Sequence, residues 1–280
     1  TGDLLIGCLI STCQRLLGVK SVPDLPVRLK SYILQKSVIK TYQPINFSIG
    51  IYSKDGRYYV IKTWFGFIKN MEYLTLQREY QISKLLFKIV NRYKSKLKIR
   101  IPQPVEKIVT PTSISLVYEF IEGDPLCNFP LTNQITTYKN ILKDLTFISN
   151  SLNKTDLRRM PKRGDLFYLF SLPFMLCLSL SKNVYLLPTL IKEFMSAQKS
   201  YIAFKNYAFK LSHRDLVPEN IIMHRNRPYL IDCGACVLTH PDYDLSYLAV
   251  RPLSKKLYTG LAKDSHYTAN EFLKSYIKIQ

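Results

Sequence analysis

The stretch SHRDLVPENIIMHRNRPYLIDCGA, Ser212 to Ala235, sets Asp215 five residues before Asn220 and follows them, after two apolar runs, with Asp232. Phosphoryl transfer asks three things of a protein: a cation on the phosphates, oxygen ligands for the metal that bridges them, and a carboxylate to orient the attacking hydroxyl. Asp215 suits the carboxylate role, and Asn220 with Asp232 supplies the hard oxygen donors that Mg²⁺ takes. The runs on either side of HRNRP predict a hairpin that brings the Asn220 and Asp232 ends together. The cation is expected at Lys62, which ends YVIK on a strand otherwise suited to burial and so needs an anionic partner. Glu79 is the candidate, because it shares a helical stripe with Leu76, Ile82 and Leu86, where a carboxylate must be paired. That pair would leave the ammonium aimed at nucleotide phosphates.

These residues need elements to hold them. SVIKTY, INFSIGIYS and RYYVIKTW, between Ser37 and Trp64, read as a β-meander, the last two joined by an Asp-Gly hairpin signal at Lys54 to Gly56. A helical pattern runs from about Met71 to Asn91, and strand patterns at Gln103 to Thr110 and Ser113 to Ile121 flank the turn at Pro111. EGDP, Glu122 to Pro125, reads as a turn or linker, and beyond it helical periodicity dominates near Thr132–Asn153, Leu186–Lys205 and Asp264–Ile279. The expected organisation is an N-terminal helical extension (1–36), an N-lobe for nucleotide (37–121), a linker (122–126) and a C-lobe (127–280) holding the catalytic loop, metal site and acceptor site.

Composition narrows the field. The chain has 280 residues, 47% of them hydrophobic and no long polar tract, which excludes intrinsic disorder. Six scattered cysteines are no disulfide framework and point to a reducing cytoplasm; CGAC, Cys233 to Cys236, reads as small buried hydrophobes, since no second pair completes a zinc site even with His240 nearby. Neither LLIGCLISTCQRLLG (Leu4 to Gly18) nor LFSLPFMLCLSLS (Leu169 to Ser181) is long and apolar enough to span a bilayer. The formal charge of +20 favours anionic partners, among them nucleotides and the inner face of a membrane. Without a zinc finger, helix-turn-helix or aromatic RNA-binding signature, nucleic acid is not an expected partner.

HRDLVPEN matches the catalytic-loop pattern H-R-D-x-x-x-x-N, IDCGA stands where kinases carry Asp-Phe-Gly, and VIK with a helix Glu 17 residues on resembles their Lys and Glu pair. HPDYDLSYLA, His240 to Ala249, is similar to the run that follows the metal Asp in the aminoglycoside phosphotransferase and choline kinase family, and no Ala-Pro-Glu activation segment is present. The chain thus resembles the aminoglycoside phosphotransferase and choline kinase type within the protein-kinase-like superfamily. The resemblance implies an α+β, bilobal protein-kinase-like fold, with a small antiparallel-sheet N-lobe bearing one long helix and a mainly helical C-lobe. It also implies ATP and Mg²⁺ as cofactors and a small-molecule hydroxyl as acceptor. LVYEFIEGDPL resembles that family's lobe linker, whose backbone at Glu119, Phe120 and Ile121 would hold the adenine. Two departures stand out: the loop expected between the first two strands, TYQPIN (Thr41 to Asn46), lacks the Gly-rich pattern, and Cys follows the metal Asp where Phe or Leu is usual.

Other residues have plainer expectations. His213 is expected to orient the catalytic loop or fill the core, without transferring protons. Asp244 suits either a helix N-cap ahead of LSYLA or a support for the catalytic loop, and Glu219 is expected to face solvent. Arg158, Arg159, Lys162 and Arg163 read as a solvated loop, with an anionic acceptor as the competing use. A polycationic aminoglycoside would want an acidic pocket, which a chain with 20 acidic residues ill provides, so a sugar, amino alcohol or anionic metabolite is the expected acceptor. Two alternatives are a kinase for a lipopolysaccharide-core or membrane-surface sugar, and a pseudokinase that binds nucleotide without transfer.

Overall fold

A computed structural model of the chain describes residues 25–38, 47–66, 71–160, 210–239 and 243–250. The chain divides into two compact units, Thr1–Phe129 with Pro218–Ala235, and Pro130–Val217 with Cys236–Gln280.

In the first unit, β1 (Arg28–Leu29), β2 (Tyr32–Val38), β3 (Phe47–Lys54), β4 (Arg57–Phe65), β5 (Pro104–Thr110) and β6 (Ser113–Glu119) form one antiparallel sheet in the order β1-β2-β3-β4-β6-β5. The β3–β4 turn is the Asp-Gly pair seen in the sequence. Asp55 (φ 50°) and Gly56 (φ 72°) both lie in the left-handed region that a two-residue hairpin requires and that Gly enters without penalty. Strand β2 begins at Tyr32, so the last residues of the 1–36 segment are strand and not helix. Tyr32 is buried and joins Tyr52, Ile61, Ile108 and Val117 on one sheet face, and that burial outweighs the weak helical periodicity of the segment. The other face packs Phe47, Ile49, Trp64, Ile114, Leu116 and Tyr118 against Tyr73 and Leu76 of α1 (Met71–Arg92). Because strand side chains alternate, Ile61 goes to the first face and Lys62 to the face covered by the helix.

After α1 the chain turns through Tyr93–Ile99 and lies beside a second small sheet, β7 (Asp124–Pro125), β9 (Ile221–His224) and β10 (Arg227–Leu230), in the order β10-β9-β7. The hairpin turn Arg225–Asn226 is left-handed at both positions (φ 48° and 60°). Arg100 forms a parallel bridge to Tyr229, with its N–H donating to Pro228 O (2.8 Å) and its carbonyl accepting from Leu230 N (2.9 Å). Its buried guanidinium donates to Lys94 O (3.2 Å), Leu97 O (2.8 Å) and Ile99 O (2.6 Å), satisfying carbonyls of the turn segment that follows α1. One Arg thereby ties the β9–β10 hairpin to the segment that leaves α1.

The second unit is described through β8 (Lys210–Ser212), β11 (Val237–Thr239) and three helices, α2 (Leu131–Ser151), α3 (Lys154–Arg159) and α4 (Tyr243–Val250). Helix α2 buries Thr137, Tyr138, Ile141, Asp144, Leu145 and Ile148 at helical spacing. Its Ser149 hydroxyl donates to Leu145 O (2.7 Å) and accepts from Leu211 N (2.8 Å), pinning β8, which pairs antiparallel with β11. Asn153 caps α3 by accepting from Asp156 N (2.8 Å). That cap makes the start of the basic cluster helical: Arg158 and Arg159 are exposed on the last turn of α3, where a loop is expected from sequence. Lys162, Arg163, His240, the loop Thr41–Asn46, the apolar segments Leu4–Gly18 and Leu169–Ser181, and the helices expected at Leu186–Lys205 and Asp264–Ile279 lie outside the described residues. Among the described residues no helix is long and apolar enough to cross a membrane.

Candidate active site

Four of the expected residues meet inside the first unit. Lys62 is buried in the middle of β4, opposite Leu116 on β6 and Ile49 on β3, and its ammonium donates to Glu79 Oε1 at 2.5 Å and Asp232 Oδ1 at 2.9 Å. Burial alone would lower its pKa, but the negative charges of Asp232 and Glu79 outweigh that and hold it above the ordinary lysine value, so the side chain stays cationic. Glu79, 4% exposed, stands on the apolar stripe of α1 between Leu76 and Ile82. Burial pushes its carboxyl up, opposed by the Lys62 ammonium.

Asp232 follows β10 and Asn220 precedes β9, so the hairpin sets them at its open end, where Ile231 N donates to Asn220 O (3.0 Å). Asn220 closes a 3-10 turn, Pro218–Asn220, and is buried, whereas the Asp232 side chain keeps 32% of its surface exposed. Asp232 has φ 62°, a left-handed conformation costly for a non-glycine residue but tolerated best by Asp and Asn. The amide oxygen of Asn220 and the carboxylate of Asp232 are the donor types that fit Mg²⁺.

Two residues later Gly234 packs closely against Glu79. A Cβ there would stand 3.0 Å from Glu79 Cβ and 3.2 Å from Glu79 Oε2, so a side chain would require Glu79 or the turn after Asp232 to give way by a few tenths of an ångström. Cys233 beside it is buried and, like Cys236 and the exposed Cys127, forms no disulfide among the described residues.

The linker residues are held at their backbone. Glu119 N donates to Gln103 O (2.9 Å) and Phe120 N to Tyr58 O (3.3 Å), while no hydrogen bond among the described residues engages the N–H of Ile121. Of the three expected nucleotide contacts, Ile121 is therefore the one with a backbone donor to offer.

Asp215 belongs to the second unit. Its carbonyl accepts from Val217 N (2.9 Å), and the neighbouring Leu216 O accepts from the Tyr138 hydroxyl on α2 (2.9 Å), so the loop is braced on both sides. Arg214, just before it, has φ 66°, and its guanidinium lies 5.0 Å from the Tyr243 ring centroid and donates to the Tyr243 hydroxyl (3.2 Å). Asp244 resolves in favour of loop support: it sits in the first turn of α4, and its carboxylate accepts from Ser212 Oγ (2.9 Å), His213 N (2.9 Å) and Arg214 N (2.7 Å). Burial pushes its carboxyl up, against the opposing effects of His213 and these donors. His213 is fully buried, in keeping with a structural role, and Glu219 is exposed.

Sequence reasoning passed over Tyr118 and Arg100, and named Gly234 only as part of a motif. Tyr118 is hidden because an aromatic residue near a strand end reads as core. Arg100 reads as one more cation of a basic run, because the carbonyls it satisfies belong to a turn whose shape the sequence does not show.

The model of the phosphotransferase enzyme family matches residues 182–274. No curated protein shows a significant sequence match. Among solved structures, a thermostable mutant of aminoglycoside phosphotransferase APH(4)-Ia in ternary complex with ADP and hygromycin B aligns with a TM-score of 0.58 at 10% identity, covering 85% of this chain and 79% of that one. The streptomycin–ATP–APH(2″)-IIa ternary complex aligns at 0.57 and 17% identity, covering 86% and 82%. Spectinomycin phosphotransferase APH(9)-Ia, in complex with ADP and spectinomycin, aligns at 0.51 and 15%, covering 82% and 75%. At these identities the likeness speaks for the fold, and it bears out the kinase-like α+β architecture expected from the motifs.

Proposed function

For a chain with the protein-kinase-like fold and a segment matching the phosphotransferase enzyme family, we propose ATP-dependent transfer of the γ-phosphoryl group to a hydroxyl of a small molecule. The observation that carries this reading is the buried Lys62 ammonium, shared between Glu79 and Asp232 at the open end of the hairpin that begins at Asn220. A core has no need of a cation there, and burying one costs several kcal/mol unless it is fully paired.

Each residue then has a task. Lys62, held by Glu79, binds the α and β phosphates; the Ile121 N–H receives the adenine. Asn220 and Asp232 would hold Mg²⁺, which would supply positive charge to offset that of the nucleotide's phosphates. Asp215 orients the acceptor hydroxyl and takes its proton as the oxygen bonds to the γ phosphorus, while the bond from that phosphorus to the β-γ bridging oxygen breaks and ADP leaves. Asp244 acts at one remove, by fixing the backbone that carries Asp215.

A small-molecule acceptor is supported by the similar structures, which hold hygromycin B, streptomycin or spectinomycin beside the protein. The excess of cationic side chains favours a neutral or anionic acceptor, such as a sugar or a phosphorylated or carboxylated alcohol. A reducing cytoplasm fits cysteines that form no disulfide among the described residues.

The test is transfer of labelled γ-phosphate from MgATP into a pooled set of sugars, amino alcohols, aminoglycosides and glycolipid headgroups. The wild-type chain should give a labelled product, and Asp215→Ala should bind MgATP without forming it. An Asp215→Ala protein that transfers at the wild-type rate would refute the assignment. MgATP binding with no product from any acceptor class would favour the pseudokinase.

A further inference from the structure

One buried side chain between Lys62 and the linker has no part in the reaction as set out so far. Tyr118, 8% exposed, is the next-to-last residue of β6 and directly precedes Glu119. Its hydroxyl donates to Glu79 Oε1 at 3.3 Å, the same oxygen that receives the Lys62 ammonium, and Lys62 Nζ stands 5.9 Å from the centroid of its ring. Ser83, a buried residue one turn beyond Glu79 on α1, acts on the Tyr118 phenol and opposes the rise in its pKa. Two donors thus converge on one carboxylate oxygen, the Tyr118 hydroxyl and the Lys62 ammonium both donating to Glu79 Oε1.

Space filling does not explain the hydroxyl, because Phe would fill the ring's volume and avoid burying an O–H group. Burial and the charge of Glu79 push the phenol well above its ordinary pKa, so it keeps its proton and remains a donor. A carboxylate held only by an ammonium on a four-carbon stem can rotate with it, since three ammonium protons and two carboxylate oxygens allow several geometries. A second donor on Oε1, the Tyr118 hydroxyl, removes that freedom.

We infer that Tyr118 is a positioning residue: acting through Glu79 Oε1, it fixes where the Lys62 ammonium is presented and so strengthens binding of the nucleotide's phosphates, without itself touching them. This rests on the reading of Lys62 as the phosphate contact.

Calorimetric titration of wild type, Tyr118→Phe, Ser83→Ala and Lys62→Met with MgATP and with adenosine, which has no phosphates, separates the possibilities. Tyr118→Phe is expected to weaken MgATP binding roughly three- to tenfold, as loss of one hydrogen bond to a charged group allows, and to leave adenosine binding unchanged. Ser83→Ala should show the same pattern at smaller size, and it supplies the answer if Tyr118→Phe does not fold. Equal weakening of both ligands would make Tyr118 part of the adenine pocket or of general stability, and would overturn the inference. So would MgATP binding unchanged in Tyr118→Phe where Lys62→Met loses it. Wild type that fails to bind MgATP, or Lys62→Met that binds it as wild type does, would bring down the phosphoryl-transfer reading and this one together.

Discussion

Replacing Lys62 with Met removes the charge and keeps most of the stem. In the native chain two carboxylates share this ammonium, and they differ in exposure: Glu79 is 4% exposed overall, whereas the Asp232 side chain is 32% exposed. Asp232 can turn to water. Glu79 cannot, and keeps only Tyr118 among the side-chain donors described around it. Stranding one member of a buried ion pair costs about 3–5 kcal/mol. The loss should depend on pH, with a definite sign. Burial already raises the Glu79 carboxyl, and a group raised in the folded state contributes stability that is present below its unfolded pKa and is lost as pH rises through the folded value. Lys62 opposes that raise in the wild type, so in Lys62→Met the raise grows. The variant should therefore lag wild type most at pH 7.5 and recover toward pH 5, as Glu79 takes up a proton, by at most about 1.4 kcal/mol per pH unit. Lys62 itself, raised above its ordinary value, stays charged throughout this window and adds no slope of its own. Urea unfolding of both proteins at pH 5.0, 6.0 and 7.5 gives the differences directly, and adding Glu79→Gln to the variant should restore stability at pH 7.5. A deficit of equal size at all three pH values, or no restoration by Glu79→Gln, would refute the reasoning.

Two further substitutions probe the frame around the site. Gly234→Ala puts a methyl 3.0 Å from Glu79 Cβ, and the overpacking should cost about 1–3 kcal/mol and weaken MgATP binding, read by thermal unfolding and titration. Asp244→Asn replaces an acceptor of three hydrogen bonds with a group having one acceptor oxygen and an NH₂ that faces donors; stability should fall by about 2–4 kcal/mol, and transfer should slow while MgATP affinity holds.

Much of the first unit could be read from the chain because its signals are local. The Asp-Gly turn, the stripe of α1 and the alternation of β4 each depend on residues a few positions apart, and they set Lys62 and Glu79 toward the same layer. The hairpin around HRNRP was legible for the same reason, and with it the approach of the Asn220 and Asp232 ends. What escaped depends on neighbours distant in sequence. That Lys62 also takes Asp232 reflects a contact across 170 positions, and that Tyr118 is a donor to Glu79, one across 39. Asp244 could not be decided between cap and support, because its partners lie about 30 residues earlier, on a loop whose own shape was unknown. Tyr32 falls in the segment expected as a helical extension, because its burial depends on Tyr52, Ile61 and Val117, none of them nearby in the chain.

The interleaving of the two units bears on how the protein is made. The unit that holds Lys62 and Glu79 is completed by Pro218–Ala235. At about 5–20 residues per second, Asp232 follows Lys62 out of the ribosome after roughly 10–30 seconds of further synthesis, during which the intervening chain emerges. Through that interval the nascent sheet and helix must hold a buried ammonium with one of its two carboxylates missing, and the segment after α1 must wait for the hairpin that Arg100 fastens to it. Folding of this half is therefore tied to the synthesis of Pro218–Ala235, and a ribosome stalled before residue 218 would display a first unit that still lacks Asn220, Asp232 and the hairpin between them.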